Sequence, residues 1–199
     1  MATSRIAHLT ILTAFIAAAA SGCGTTAPSR FYTLDSTAAP AGAASGADAV
    51  MVGPVSVPAA VDRPQFVVQV APNRVDVDEF NRWASPLGDA IARAVAGDLV
   101  KLLGTPNVAV APLANFAPAY RVTIDVQRFD SVPGQAALVE AVWTVRKTAG
   151  GETRSGRTVA QEPVKGEGFD ALAAAHSRAI AKVSGDIAAA IRAEAEARS

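Results

Sequence analysis

Two stretches of alternation limit this chain more than anything else in it. Tyr120, Val122, Ile124 and Val126 alternate with Arg121, Thr123, Asp125 and Gln127. After the turn Ser131-Val132-Pro133-Gly134 the pattern returns, with Ala137, Val139, Ala141, Trp143 and Val145 on one face and Glu140, Thr144 and Arg146 on the other. Strand side chains point to opposite faces with period two, so each stretch is a strand with one dry face and one wet face. Ala149-Gly150-Gly151 turns the chain again, and residues 153–164 complete an antiparallel meander. A dry sheet face has to be covered.

Two segments are patterned to cover it. Leu87, Ile91, Ala94, Val95, Leu99 and Leu102 recur at helical spacing, with Ser85 as the expected N-cap, Pro86 at the first helical position, Gly104 as the stop and Pro106 just beyond. A second helix is expected from about Phe169, its stripe formed by Phe169, Leu172, His176, Ile180, Val183, Ile187 and Ile191, fraying beyond Arg192. The fold class that follows is α/β in the α+β sense: a small, mostly antiparallel sheet with two amphipathic helices on one face.

Shorter strands are expected at Phe31-Tyr32-Thr33-Leu34, at 50–57 and at Asn107 to Val110. Gly53 and Pro54 make the second of these an edge or a bulge. Phe66 to Val70 pairs with Arg74 to Val77 as a hairpin around Pro72-Asn73, and residues 36–48 read as a loop.

The first 22 residues are of another kind. A basic start (Arg5), an apolar stretch from Leu9 to Ala20 and small residues before Cys23 form the layout of an export signal, too short to cross a bilayer. Ala20-Ser21-Gly22-Cys23 resembles a bacterial lipobox, in which the cysteine is lipidated and becomes the first mature residue. The competing reading is an ordinary secretory signal with an incidental cysteine. Against it, Cys23 is the only cysteine and has no internal disulfide partner. The expected division is a lipoprotein signal peptide at 1–22, lipidated Cys23 and a tether over 23–30, and a single periplasmic α/β domain over 31–199. Gly24, where Asp would mark retention at the inner membrane, resembles outer-membrane sorting.

Of the 18 basic residues only Arg5 lies in the signal, leaving 17 against 18 acidic. That balance offers nothing to nucleic acid or to an anionic surface. Catalytic patterns are equally scarce. Outside the signal the one histidine is His176, on a helix stripe where packing is its ordinary role, so neither a His/Cys metal site nor a Cys nucleophile is expected. Asp76, Asp78 and Glu79 read as a solvated hairpin face. No cofactor and no enzyme activity are expected. Arg82-Trp83 has two readings: Trp83 packing at the helix entrance with Arg82 in water, or both serving an interface.

Phe31-Tyr32-Thr33-Leu34 soon after the cysteine, Val55-Ser56-Val57-Pro58 leading to Asp62-Arg63-Pro64-Gln65, and Arg82-Trp83 before Pro86-Leu87 resemble the paraquat-inducible protein C (PqiC) family of ABC-type transport auxiliary lipoproteins. The resemblance covers the mature chain and is concentrated in residues 31–87. It departs from the family pattern at Ala59-Ala60 and at Ser85. It implies a non-enzymatic outer-membrane lipoprotein on the periplasmic face, working with an MCE-domain tunnel protein and an inner-membrane transporter in lipid transport. It also implies assembly as a homo-oligomer, a ring. Tyr32, Leu34, Pro58, Asp62, Arg63, Pro64, Arg82 and Trp83 are the motif residues it marks as interface candidates, beside Cys23 as the lipid attachment point. The alternative is a stand-alone periplasmic lipoprotein that holds a lipid or other apolar ligand in its own cavity.

Overall fold

The alternating stretches form the two longest strands of a computed structural model that describes residues 27–40 and 48–196. In chain order the elements are β1 (Arg30–Tyr32), β2 (Val50–Ser56), β3 (Gln65–Ala71), β4 (Arg74–Trp83), α1 (Leu87–Leu103), β5 (Val108–Val110), β6 (Tyr120–Val132), β7 (Ala136–Lys147), β8 (Thr153–Pro163) and α2 (Gly168–Glu196). The inward faces of β6 and β7 are those the alternation selects: Tyr120, Val122, Ile124, Val126, Val139, Ala141, Trp143 and Val145 are all buried. Helices α1 and α2 pack against each other and cover this layer, α1 over β2 and β5, α2 over β7 and β8.

The α+β class and the two covering helices are as expected, but the sheet arrangement differs. There are two sheets, not one. The larger has the order β5-β2-β6-β7-β8, and the smaller β1-β4-β3. Each contains parallel pairing, β2 with β5 and β6 in the first and β1 with β4 in the second. In the larger sheet the reason is the crossover: β3, β4 and α1 lie between β2 and β5 in sequence, and so long a connection can return the chain parallel to where it left. Strand β2 therefore sits inside the sheet, not at its edge. The expected irregularity remains, because the β2–β6 register shifts between Val52 and Val55, where Pro54 has no N–H to donate.

Two further expectations need correcting. β4 runs on to Trp83 instead of ending near Val77, so Arg82 and Trp83 belong to a strand. Ser85 is not the helix cap. Pro86 takes that position with an extended ψ of 133°, α1 begins at Leu87 without a side-chain cap, and Ser85 Oγ accepts a hydrogen bond from Arg93 instead. Gly104, at φ 64°, ends the helix in the left-handed conformation that only glycine adopts without strain.

Gly156 on β8 faces Trp143 on β7, and a Cβ there would overlap the indole ring. That close approach lets Trp143 Nε1 donate to Thr158 Oγ1 at 3.0 Å, while Thr158 Oγ1 donates to Asp186 on α2 at 2.6 Å. Gly156→Ala is expected to destabilise the protein by about 1–3 kcal/mol through overpacking, read from the urea midpoint. In a Trp143→Leu background the same substitution is expected to be nearly neutral, and an equal loss in both backgrounds would refute the contact.

Candidate functional site

The motif residues lie far apart in the chain and close together in space. Strand β1 runs parallel to the end of β4, with Tyr32 in register with Trp83 and Phe31 with Arg82. The Ala84 N–H donates to the Tyr32 carbonyl at 2.8 Å, and the Trp83 N–H donates to the Pro64 carbonyl at 2.6 Å. The turn from Pro58 to Arg63 is closed by the Val61 and Asp62 amides donating to the Pro58 carbonyl. The three motif pieces thus clasp one strand end.

Tyr32, Leu34 and Trp83 are buried in this clasp. Trp83 stacks on Phe66 at 4.0 Å between centroids, which is the packed role. Asp62, Arg63 and Pro64 are exposed, and Pro58 and Arg82 half-buried, so these five are the motif residues with surface to offer a partner. Arg82 Nε donates to the Glu79 carbonyl, and its guanidinium pairs with the Glu79 carboxylate at 3.7 Å. Cys23 lies outside the described residues, as do the expected signal peptide and most of the tether.

Around Trp83 the rings continue. Tyr32 meets Phe66 edge-on, Phe66 meets Phe169 of α2, Trp83 meets Phe129 of β6, and Phe129 stacks flat on His176 at 3.9 Å. His176 is fully buried, and its Nε2 shares a 2.8 Å hydrogen bond with Ser131 Oγ. Sequence reasoning places His176 on a packed stripe but does not find its partner, because Ser131 lies 45 residues away in a segment that reads as a turn. Both groups are sealed from solvent, and their hydrogen bond is part of the packed layer.

From Thr33 the chain runs as a strap between the two helices. The Asp35 N–H donates to Ser177 Oγ of α2 at 3.1 Å, and Thr37 Oγ1 to the Ser177 carbonyl. Lys101 Nζ of α1 donates to the Ser36 carbonyl at 2.6 Å. Asp98, fully buried on α1, accepts from the Ala38 N–H at 2.9 Å and from Ser184 Oγ of α2 at 3.0 Å. Burial raises the Asp98 carboxyl above the usual carboxylate range in spite of these bonds. Gly97 is what lets the strap lie so close, since a Cβ there would come within 2.8 Å of Ser36 Cβ.

Spaces for a ligand are small or open. A cavity of about 80 Å³ between the helix ends is lined by Leu103, Thr105, Ile191 and Arg192. The grooves flanking the strap, about 300 and 210 Å³, are open and lined by polar groups such as Asp35, Ser85, Arg93 and Asp170. Among the described residues, no cluster of three or more His, Cys, Asp or Glu is placed to hold a metal, and no helix is long and apolar enough to cross a membrane.

A family model described as ABC-type transport auxiliary lipoprotein component matches residues 32–188. Protein XCC0632 from Xanthomonas campestris, of the family designated DUF330, is 21% identical in sequence. Its crystal structure covers 85% of this chain and 100% of its own, with a TM-score of 0.69. The crystal structure of an uncharacterized protein, 20% identical, covers 83% of this chain and 99% of its own at a TM-score of 0.67. At such identities the likeness is one of fold. No curated protein matches the chain.

Desolvation lowers the His176 pKa from 6.5 to about 3, so the folded protein keeps the imidazole neutral where the unfolded chain protonates it. Stability is therefore expected to fall as pH drops below about 6.5, by up to about 1.4 kcal/mol per unit. Asp98 acts in the opposite sense, because its raised pKa makes acidification favourable to the fold. Urea titrations between pH 6.5 and 5 should show a slope that His176→Gln loses, and an unchanged slope in the variant would count against the buried neutral imidazole.

Proposed function

The chain belongs to the family of ABC-type transport auxiliary lipoprotein components, the PqiC-like family that its sequence resembles, and from that premise we propose that it is an outer-membrane-anchored docking component of an MCE/ABC-type intermembrane lipid transport system. In this reading residues 1–22 are removed, Cys23 carries the acyl chains, residues 23–30 form a tether, and the domain from residue 31 stands on the periplasmic face. The observation that carries the proposal is positional. The family match begins at residue 32, nine residues after the lone cysteine, a spacing that supports reading the lipobox-like segment as the anchor.

Three acyl chains would make the attachment close to permanent, since two already hold stably. The domain then supplies surface, not chemistry. The family is one of transport auxiliaries and not of enzymes. Docking to the tunnel protein falls to the exposed motif residues Asp62, Arg63 and Pro64, with Pro58 beside them. The chain works as a homo-oligomer, a ring that continues the tunnel. Carriage of a lipid inside one subunit has less support, because ligand sites for molecules of that size bury most of the ligand, whereas the space between the helix ends measures about 80 Å³ and the larger ones, about 300 and 400 Å³, are open grooves.

Metabolic palmitate labelling is expected to mark the wild-type product and not Cys23→Ser, which should leave the membrane fraction. Affinity capture from crosslinked envelopes is expected to recover an MCE-domain protein, and native mass spectrometry of the Cys23→Ser chain a discrete oligomer. Unlabelled wild-type protein would overturn the anchor, repeated capture without an MCE protein the docking role, and single subunits throughout the ring.

A further inference from the structure

Phe31 is 64% exposed although it sits in the most tightly clasped part of the fold. The alternation of β1 requires this: Tyr32 turns inward beside Trp83, so Phe31 turns outward beside Arg82. Phe80, two residues before Arg82 on β4, is 40% exposed. Arg30, also exposed, precedes Phe31. The result is two exposed aromatic rings beside Arg82 on the outer side of the smaller sheet, Arg30 falling by the same alternation on the side of Tyr32.

The position of the anchor says what meets them. Cys23 and Phe31 are eight residues apart, and eight residues span at most about 29 Å. A globular domain of this size has a radius of gyration of about 15 Å and is about 40 Å across. If the anchor is in the bilayer, the side bearing Phe31 is held to it while the far side is out of reach. We propose that the Phe31–Phe80 patch rests in the headgroup region of the phospholipid bilayer that holds the anchor, and so fixes which way the domain faces. This rests on Cys23 being lipidated.

The charges near the patch agree with a bilayer contact driven by rings. Asp78 Oδ1 is occupied by the Phe80 and Asn81 amides at 2.9 and 2.8 Å, and Glu79 by Gln65 and Arg82. Asp35 and Asp170 line the groove on the other side of Phe31, so the patch as a whole has no basic excess. Interfacial aromatic side chains bury in the headgroup–acyl boundary without needing one. Binding of the patch therefore does not require anionic lipid and is not weakened by salt.

The test uses the lipidated mature protein, in which the Cys23 thioether does not react with maleimides and an introduced cysteine is the single free thiol. A polarity-sensitive fluorophore is placed on Phe31→Cys, on Phe80→Cys as a second probe, and on Val159→Cys as the control, Val159 being 59% exposed on the other sheet. Each protein is reconstituted into phosphatidylethanolamine/phosphatidylglycerol vesicles carrying nitroxide-labelled lipid. Both patch probes are expected to shift to the blue and to be quenched about twofold more than the control, equally in vesicles without phosphatidylglycerol. Equal quenching at all three sites overturns the proposal. So does a blue shift at the patch without lipid quenching, because another protein surface then covers it. Intact mass and vesicle flotation are read first. A protein without acyl mass fails the anchor and removes this proposal with it, whereas an acylated, floating protein with unquenched patch probes fails the patch alone.

Discussion

The contact on which the arrangement of the layers depends is the run of rings from Tyr32 through Phe66 and Trp83 to Phe129 and His176, with Phe169 beside it. Three strands of 3, 7 and 10 residues make a small sheet of little independent stability. Phe66 and Trp83 come from that sheet, Phe129 from the larger one, and Phe169 and His176 from α2. Burying a large apolar side chain contributes about 1.5–3 kcal/mol, and each well-placed ring pair about 0.5–1.5 kcal/mol more. Shared over these rings, that is enough to make the smaller sheet one body with the rest. A neutral imidazole belongs among them because it stacks like a ring, and Ser131 satisfies the one nitrogen that touches a polar neighbour.

A second constraint joins the amino-terminal side of the domain to the helices. Asp98 binds the strap through the Ala38 amide and α2 through Ser184, so one carboxylate ties three segments together. Leaving such donors unpaired in a buried place costs about 1–3 kcal/mol each. The chain that leads away from Cys23 is therefore fastened twice, by β1 on β4 and by the strap between the helices.

The same clasp places surface residues of different character near one another. Trp83 and Tyr32 are spent on packing, while the turn that follows Pro58 carries Asp62 and Arg63 outward and the alternation of β1 carries Phe31 outward.

The meander, both helix stripes, the stop at Gly104 and the irregularity at Gly53-Pro54 were legible in the sequence, because each is set by periodicity or backbone freedom within a few residues. The start of α1 was misread for an equally local reason, since Pro86 took an extended conformation and the Ser85 hydroxyl went to Arg93. What only the tertiary structure decided is pairing over long separations. No local pattern told β2 to lie between β5 and β6, set β1 parallel to β4, joined Ser131 to His176 or brought the strap to Asp98 60 residues on. Periodicity determines which face of an element is dry. Which other dry face it meets depends on the shape and hydrogen-bonding needs of residues far along the chain, and those become neighbours only once the chain has folded.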